Sequence, residues 1–197
     1  MRILTAAKPA GRDAGNKFLR AAILLTLGSL LFLVISCSQA KIAVQDPPAE
    51  TKPPANGPRV VQIDDARIKQ LLKPNGKPLL VNFWATRYGP CCVEFPDLVR
   101  IDAEYRGKID FITISLDFAE ELNTGVPQFL DEMKAEMPTY LLVSADENTL
   151  ISSISKDWSG ALPVTVLYDE KGEITYLRQG EVDHQTLKTE IEKALGN

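Results

Sequence analysis

Residues 78–96 read PLLVNFWATRYGPCCVEFP, and this stretch restricts the possible folds more than any other. The run Pro78–Ala85 is apolar except for Asn82, has no polar alternation, and is short, so it predicts a central strand covered on both faces. Gly89 and Pro90 end the loop that follows. A helix is predicted from about Cys91 to Tyr105, where Phe95, Leu98, Val99, Ile101 and Tyr105 fall on one stripe at i, i+3, i+4 spacing. Pro96 lies inside that helix and predicts a kink.

The rest of the body continues in alternation, which argues for an α/β sheet with helices on its faces. VVQI (Val60–Ile63) predicts a short first strand, and DDARIKQLL a helix capped by Asp64. KPNGK (Lys73–Lys77) ends it through its proline and Asn-Gly pair. IDFITISL (Ile109–Leu116) predicts a second buried strand, VPQFLDEMKAEM an amphipathic helix, TYLLVSA a strand and ENTLISSIS a short helix. After Pro163, VTVLYDEKGEITYLRQG predicts a hairpin turning at Asp169–Gly172. DHQTLKTEIEKAL predicts a closing helix started by Asp183. The sequence contains no internal repeat.

The first 36 residues have a different character. They carry Arg2, Lys8, Arg12, Lys17 and Arg20 against Asp13, followed by the uncharged apolar run Ala21–Ser36. That run is short for a full membrane span and predicts the core of an export signal. VISC (Val34–Cys37) resembles the lipobox of bacterial lipoproteins, which implies acylation of Cys37; an uncleaved anchor helix is the alternative. Several acyl chains hold a protein to a membrane durably, whereas one binds marginally. Residues 37–58, rich in Pro, Ala and polar side chains, cannot bury a core and predict a tether, extended by about 3 Å per residue where polyproline II forms. The body is therefore expected at 59–197, exported and lipid-anchored at a bacterial cell membrane, in the periplasm or outside the cytoplasmic membrane. Outside the first 36 residues, 17 basic side chains face 25 acidic ones, a formal −8, which suits neither nucleic acid nor an anionic lipid surface.

The order of elements over about Val60–Leu195, together with FWAT, GPC, Glu94, Pro96 and LPVTVLYDEKGEI, resembles the thioredoxin fold. The inserted helix and strand (Val126–Val143) make it similar to the TlpA/ResA-like membrane-tethered thiol–disulfide oxidoreductases. That resemblance implies a central mixed sheet flanked by helices and a Trp-Cys-Gly-Pro-Cys loop. Here the corresponding residues are Arg87, Tyr88, Gly89, Pro90 and Cys91, so Tyr88 stands where the attacking cysteine belongs. Dithiol exchange needs one thiolate to attack a disulfide and a second sulfur to resolve the mixed disulfide. Tyr88 has no sulfur to exchange, and Cys92 does not restore the spacing. Cys91 matches the resolving position. It is read either as a thiol packed like a small hydrophobe or as a single reactive thiolate favoured by the helix N-terminus and Arg87. Asn82 matches a position that is an acid in thioredoxin itself, and an amide cannot relay a proton.

A disulfide between the adjacent Cys91 and Cys92 would strain the intervening peptide, and helix geometry turns neighbouring side chains about 100° apart. One sulfur is expected to face the core and the other a surface or neighbouring element. The resemblance further implies a cis Leu162–Pro163 peptide beside the loop, whose backbone pairs with an extended chain. Leu162, Pro163, Tyr88 and Arg87 are accordingly the expected substrate-binding residues, and Cys91 the catalytic candidate. His184 is expected to be solvated in the first turn of the last helix. Trp84 and Phe83 are expected in the core, and Trp158 either covers the groove or packs. No cofactor and no metal ligand set is assigned.

Three functions remain open. One is an exported redox protein limited to one-thiol exchange at Cys91. The second is a non-catalytic module that binds a peptide segment. The third is Cu(I) handling by the soft thiolates. The expected partners are exported protein thiols or disulfides, or a peptide segment.

Overall fold

The computed structural model describes residues 59–197. The expected leader (1–36), Cys37 and the linker to residue 58 lie outside the described residues. Among the described residues no helix is long and apolar enough to cross a membrane.

Six strands form one mixed sheet: β1 (Val61–Ile63), β2 (Leu79–Trp84), β3 (Asp110–Ser115), β4 (Thr139–Leu142), β5 (Val164–Tyr168) and β6 (Ile174–Gln179), in the spatial order β1-β4-β3-β2-β5-β6. The first four in that order are parallel, β5 runs antiparallel to β2, and β6 runs antiparallel to β5. All six residues of β2 are buried, as its apolar composition requires.

Strand side chains alternate between two cores. Leu79, Val81 and Phe83 join Ile68 and Leu71 of α1 (Asp65–Leu71) and Leu150 of α4 (Glu147–Ile154) on one face. Leu80 and Trp84 join the apolar stripe of α2 (Gly89–Tyr105), together with residues of α3 (Gly125–Glu132) and α5 (His184–Ala194), on the other. Phe83 and Trp84 are core residues. Phe83 stacks on Trp158 at 4.7 Å, while Trp84 sits within 5 Å of the rings of Phe95 and Phe129. Trp158 is itself buried, with its indole N–H donated to Ala161 O at 2.9 Å, so it packs.

Asp64 and Asp183 cap their helices by accepting N–H bonds from Arg67 and Thr186. The Asp169–Gly172 turn closes as expected: Asp169 Oδ1 accepts the N–H groups of Lys171 and Glu173, and Gly172 supplies φ +89°. Two helices differ from the sequence reading. The helix α2 begins at Gly89 rather than Cys91, with Pro90 in its first turn, where a missing N–H costs nothing. The helix α3 stops at Glu132 instead of running on to Met137, because Lys134 enters the left-handed region (φ 54°) and Ala135 N closes back on Leu130 O.

Candidate functional site

The loop Ala85–Tyr88 leaves the end of β2 and turns directly into α2. Tyr88 N donates to Ala85 O at 3.2 Å, Cys91 N donates to Tyr88 O at 3.0 Å, and Tyr88 becomes the N-cap without lending a side-chain bond. Its ring is 46% exposed, so the position that resembles the attacking sulfur's is filled by an outward-facing phenol.

One turn inward, Cys91 is fully buried and joins the core cluster of Trp84 and Phe95. Burial pushes its thiol up to about 12; the neighbouring acids Glu94 and Asp117 add to the rise, and a hydrogen bond from the Ala85 backbone opposes it. Cys92 packs at the margin of the same cluster. It is half-buried, its Sγ lies 3.5 Å from Thr86 O and 3.7 Å from Tyr88 O, and burial pushes its thiol up as well. Those carbonyls accept from an S–H and would repel a thiolate. Both cysteines are free thiols, so the adjacent pair forms no disulfide.

Arg87 is committed away from Cys91. Its Nη1 donates to Leu116 O (3.0 Å) and to Asp117 Oδ1 (3.2 Å), and its guanidinium lies 4.7 Å above the ring of Phe118. Asp117 is the pin of the loop: nearly fully buried, it accepts from Thr86 N, Thr86 Oγ1 and Ser115 Oγ at 2.8–2.9 Å. The sequence reading missed Asp117, since its partners lie up to 31 residues away. Phe118 and Val93 stand exposed near this end of the sheet.

A second buried polar cluster lies on the α2 face of the sheet. Asn82 shares the side of β2 that carries Leu80 and Trp84, and is in register with Thr165 of β5. Its Nδ2 donates to Glu94 Oε1 (2.7 Å) and Thr165 Oγ1 (3.0 Å), while its Oδ1 is buried without a partner. Glu94 Oε2 accepts Val182 N at 3.1 Å. Only 3% exposed, Glu94 has its carboxyl pushed up to about 7 by burial, against the lowering effect of these two donors. The sequence did contain a signal for it: Glu94 lies three residues beyond Cys91 and four before Leu98, on the stripe that α2 buries.

The Leu162–Pro163 peptide is cis. Val164 pairs with Phe83, so Pro163 follows at the level of Trp84, at the same end of the sheet as the loop. Pro163 O accepts Gly180 N at 2.8 Å, and Leu162 is half-buried between both cores. His184 departs from its expected setting. Its ring is largely buried and its Nε2 lies 2.8 Å from Glu104 Oε1. Glu104 is 13 residues along α2 from Cys91, about 20 Å at 1.5 Å per residue, which separates the histidine from the thiols. Among the described residues no group of three or more His, Cys, Asp or Glu could hold a metal ion.

The Redoxin family model matches residues 61–195. The chain is similar to thiol-disulfide oxidoreductase ResA of Oceanobacillus iheyensis, 33% identical over 120 residues that cover 60% of this chain and 57% of that protein. It is also similar to thioredoxin-like protein YneN of Bacillus subtilis, 27% identical over 120 residues, 59% of this chain and 65% of that protein. The chain thus spans less than two thirds of either relative. Among solved structures, a thioredoxin-related protein from Neisseria meningitidis serogroup B superposes with a TM-score of 0.54 at 26% identity, covering 64% of this chain and 91% of that one.

Proposed function

The chain belongs to the Redoxin family, among its ResA/TlpA-like thioredoxin-fold members, and from that premise we propose that it is an exported, membrane-tethered thiol–disulfide protein without a dithiol cycle. In this reading residues 1–36 direct export, Cys37 carries the lipid, residues 37–58 are the tether and 59–197 the working domain. The attacking sulfur is missing at Tyr88, and the domain engages exported proteins along the Leu162–Pro163 edge. Tyr88 and Arg87 border the contact.

The observation that carries the reading is the pairing of an exposed Tyr88 with a Cys91 that is fully buried and holds its proton up to about 12. At neutral pH almost none of Cys91 is thiolate, and the thiolate is the nucleophile. Exchange at this site is therefore limited to one sulfur: Cys91 loses its proton, attacks a partner disulfide to form a mixed disulfide, and expels the partner's second sulfur as thiolate. An external thiol then releases Cys91. The same burial favours the second reading, a module that holds a peptide segment without chemistry.

Insulin reduction driven by dithiothreitol tests the first claim, and no catalytic turnover is expected from the full chain. Steady turnover overturns it. The two readings separate on Cys91→Ser, which should abolish a trapped mixed disulfide with a small disulfide reagent and leave peptide capture intact. Loss of capture together with the mixed disulfide would show that binding itself runs through the sulfur.

A further inference from the structure

Four residues, Gly180–Asp183, connect β6 to α5, and they lie across Glu94. Val182 is buried and places its N–H on Glu94 Oε2, while Glu181 and Asp183 on either side are exposed. Gly180, at φ +86°, gives its N–H to Pro163 O, and Gln179 just before it accepts from Ser159 N and donates to Asp157 O. The link therefore ties the docking edge and the segment that leads to it to one buried carboxyl. At its far end, Asp97, one turn along α2 from Glu94, accepts His184 N at 3.0 Å. On the inner side Glu94 meets Asn82, whose Oδ1 lacks a partner.

We propose that the Gly180–Asp183 link is a flap over Glu94, that loss of the Glu94 proton loosens this flap, and that Glu94 is thereby a positioning residue for the Leu162–Pro163 edge. The idea that this edge docks a partner rests on the reading above; the flap itself does not. The driving force is the cost of an ionised carboxylate out of water. While the link is closed, Glu94 is buried and the neutral acid is favoured. Displacing Val182 lets water reach the carboxylate, so the open state is the one that releases the proton.

The other charged or titratable groups around Glu94 are Cys91 on its own helix, Tyr176 and Arg178 on β6, Glu181 and Asp183 in the link, and Asp97. Burial keeps Cys91 and Tyr176 protonated through the neutral range. Asp183 is held low by its capping bonds to Thr186. Asn82 and Thr165, which face Glu94 from β2 and β5, do not titrate.

Hydrogen exchange of the full chain between about pH 5 and pH 8.5, corrected for intrinsic base catalysis, tests the flap. With Glu94 near 7 when closed and at its ordinary 4.5 when open, the opening constant of the Gly180 and Val182 amides should rise by about 75-fold across that range. Core amides such as Ile112 should not follow. In Glu94→Gln, which still offers an acceptor to Val182 N, the rise should vanish. Glu181→Gln removes the negative charge that helps raise Glu94, so the midpoint should move to lower pH. A flat wild-type profile overturns the flap, and so does a rise that survives Glu94→Gln. A flap that titrates while no peptide is captured at either pH retains this inference and refutes the docking reading alone.

Discussion

Alkylation of Cys91 is the sharpest measure of how strongly burial silences this thiol. The perturbation is unfolding, which moves the thiol from full burial to its ordinary value of 9.0, against about 12 when folded. At pH 8 the thiolate fraction is about one part in ten thousand in the native chain and about one in ten in the unfolded one, a ratio of about a thousand. Since iodoacetamide reacts with the thiolate, native Cys91 should label about a thousandfold more slowly than the same cysteine in urea. Steric exclusion at a fully buried sulfur slows it further. Cys92, half-buried and donating to two carbonyls, should label faster than Cys91 in the native chain. Peptide mass spectrometry after timed quenching reads both residues separately. Native Cys91 labelling within tenfold of the unfolded rate would falsify the argument that burial silences it, and would bring back the helix N-terminus as the dominant influence.

Other outcomes follow from the two buried carboxyls and from the leader. Glu94 holds its proton more tightly folded than unfolded, so its contribution is fully present below about pH 4.5 and is lost as pH rises through 7; the loss amounts to about 3 kcal/mol. Urea unfolding of the full chain should show wild type losing about 2.5 kcal/mol relative to Glu94→Gln between pH 5 and pH 8.5, and parallel curves for the two proteins would refute it. Asp117→Ala strands the buried Ser115 hydroxyl and releases Thr86, which should cost about 2 kcal/mol and speed tryptic cleavage after Arg87; unchanged stability and cleavage would deny Asp117 its pinning role. Cys37→Ser should abolish acyl mass on the mature chain and its partition into detergent, and an unaltered intact mass would reject the lipid attachment.

The layered fold was legible because its signals are local. The unbroken apolar run of β2, the stripe of α2 and the capping aspartates Asp64 and Asp183 each act within one turn or one strand. The end of α3 was not legible, since nothing in VPQFLDEMKAEM shows Lys134 adopting a left-handed conformation. The expectation that Tyr88 takes the place of an attacking cysteine could be drawn from the resemblance of the loop. The setting of Tyr88 could not, because that depends on pairs 12 to 88 residues apart: Asn82 with Glu94, Thr86 with Asp117, and Glu94 with Val182. His184 shows the same limit. In sequence it is a helix-start residue open to solvent, and only the packing of α5 on α2 gives it Glu104.

The place where the chain enters the sheet has a mechanical consequence. Arg59 is fastened to Asp131 and to the carbonyl of Ala135, and the strand just after it spans three residues and pairs with β4 alone. The strand carrying Asn82 and leading to the Tyr88 loop lies three places further in. A pull on the chain at Arg59 would peel that short border ribbon first, and the strain would be spent before it reached the thiols.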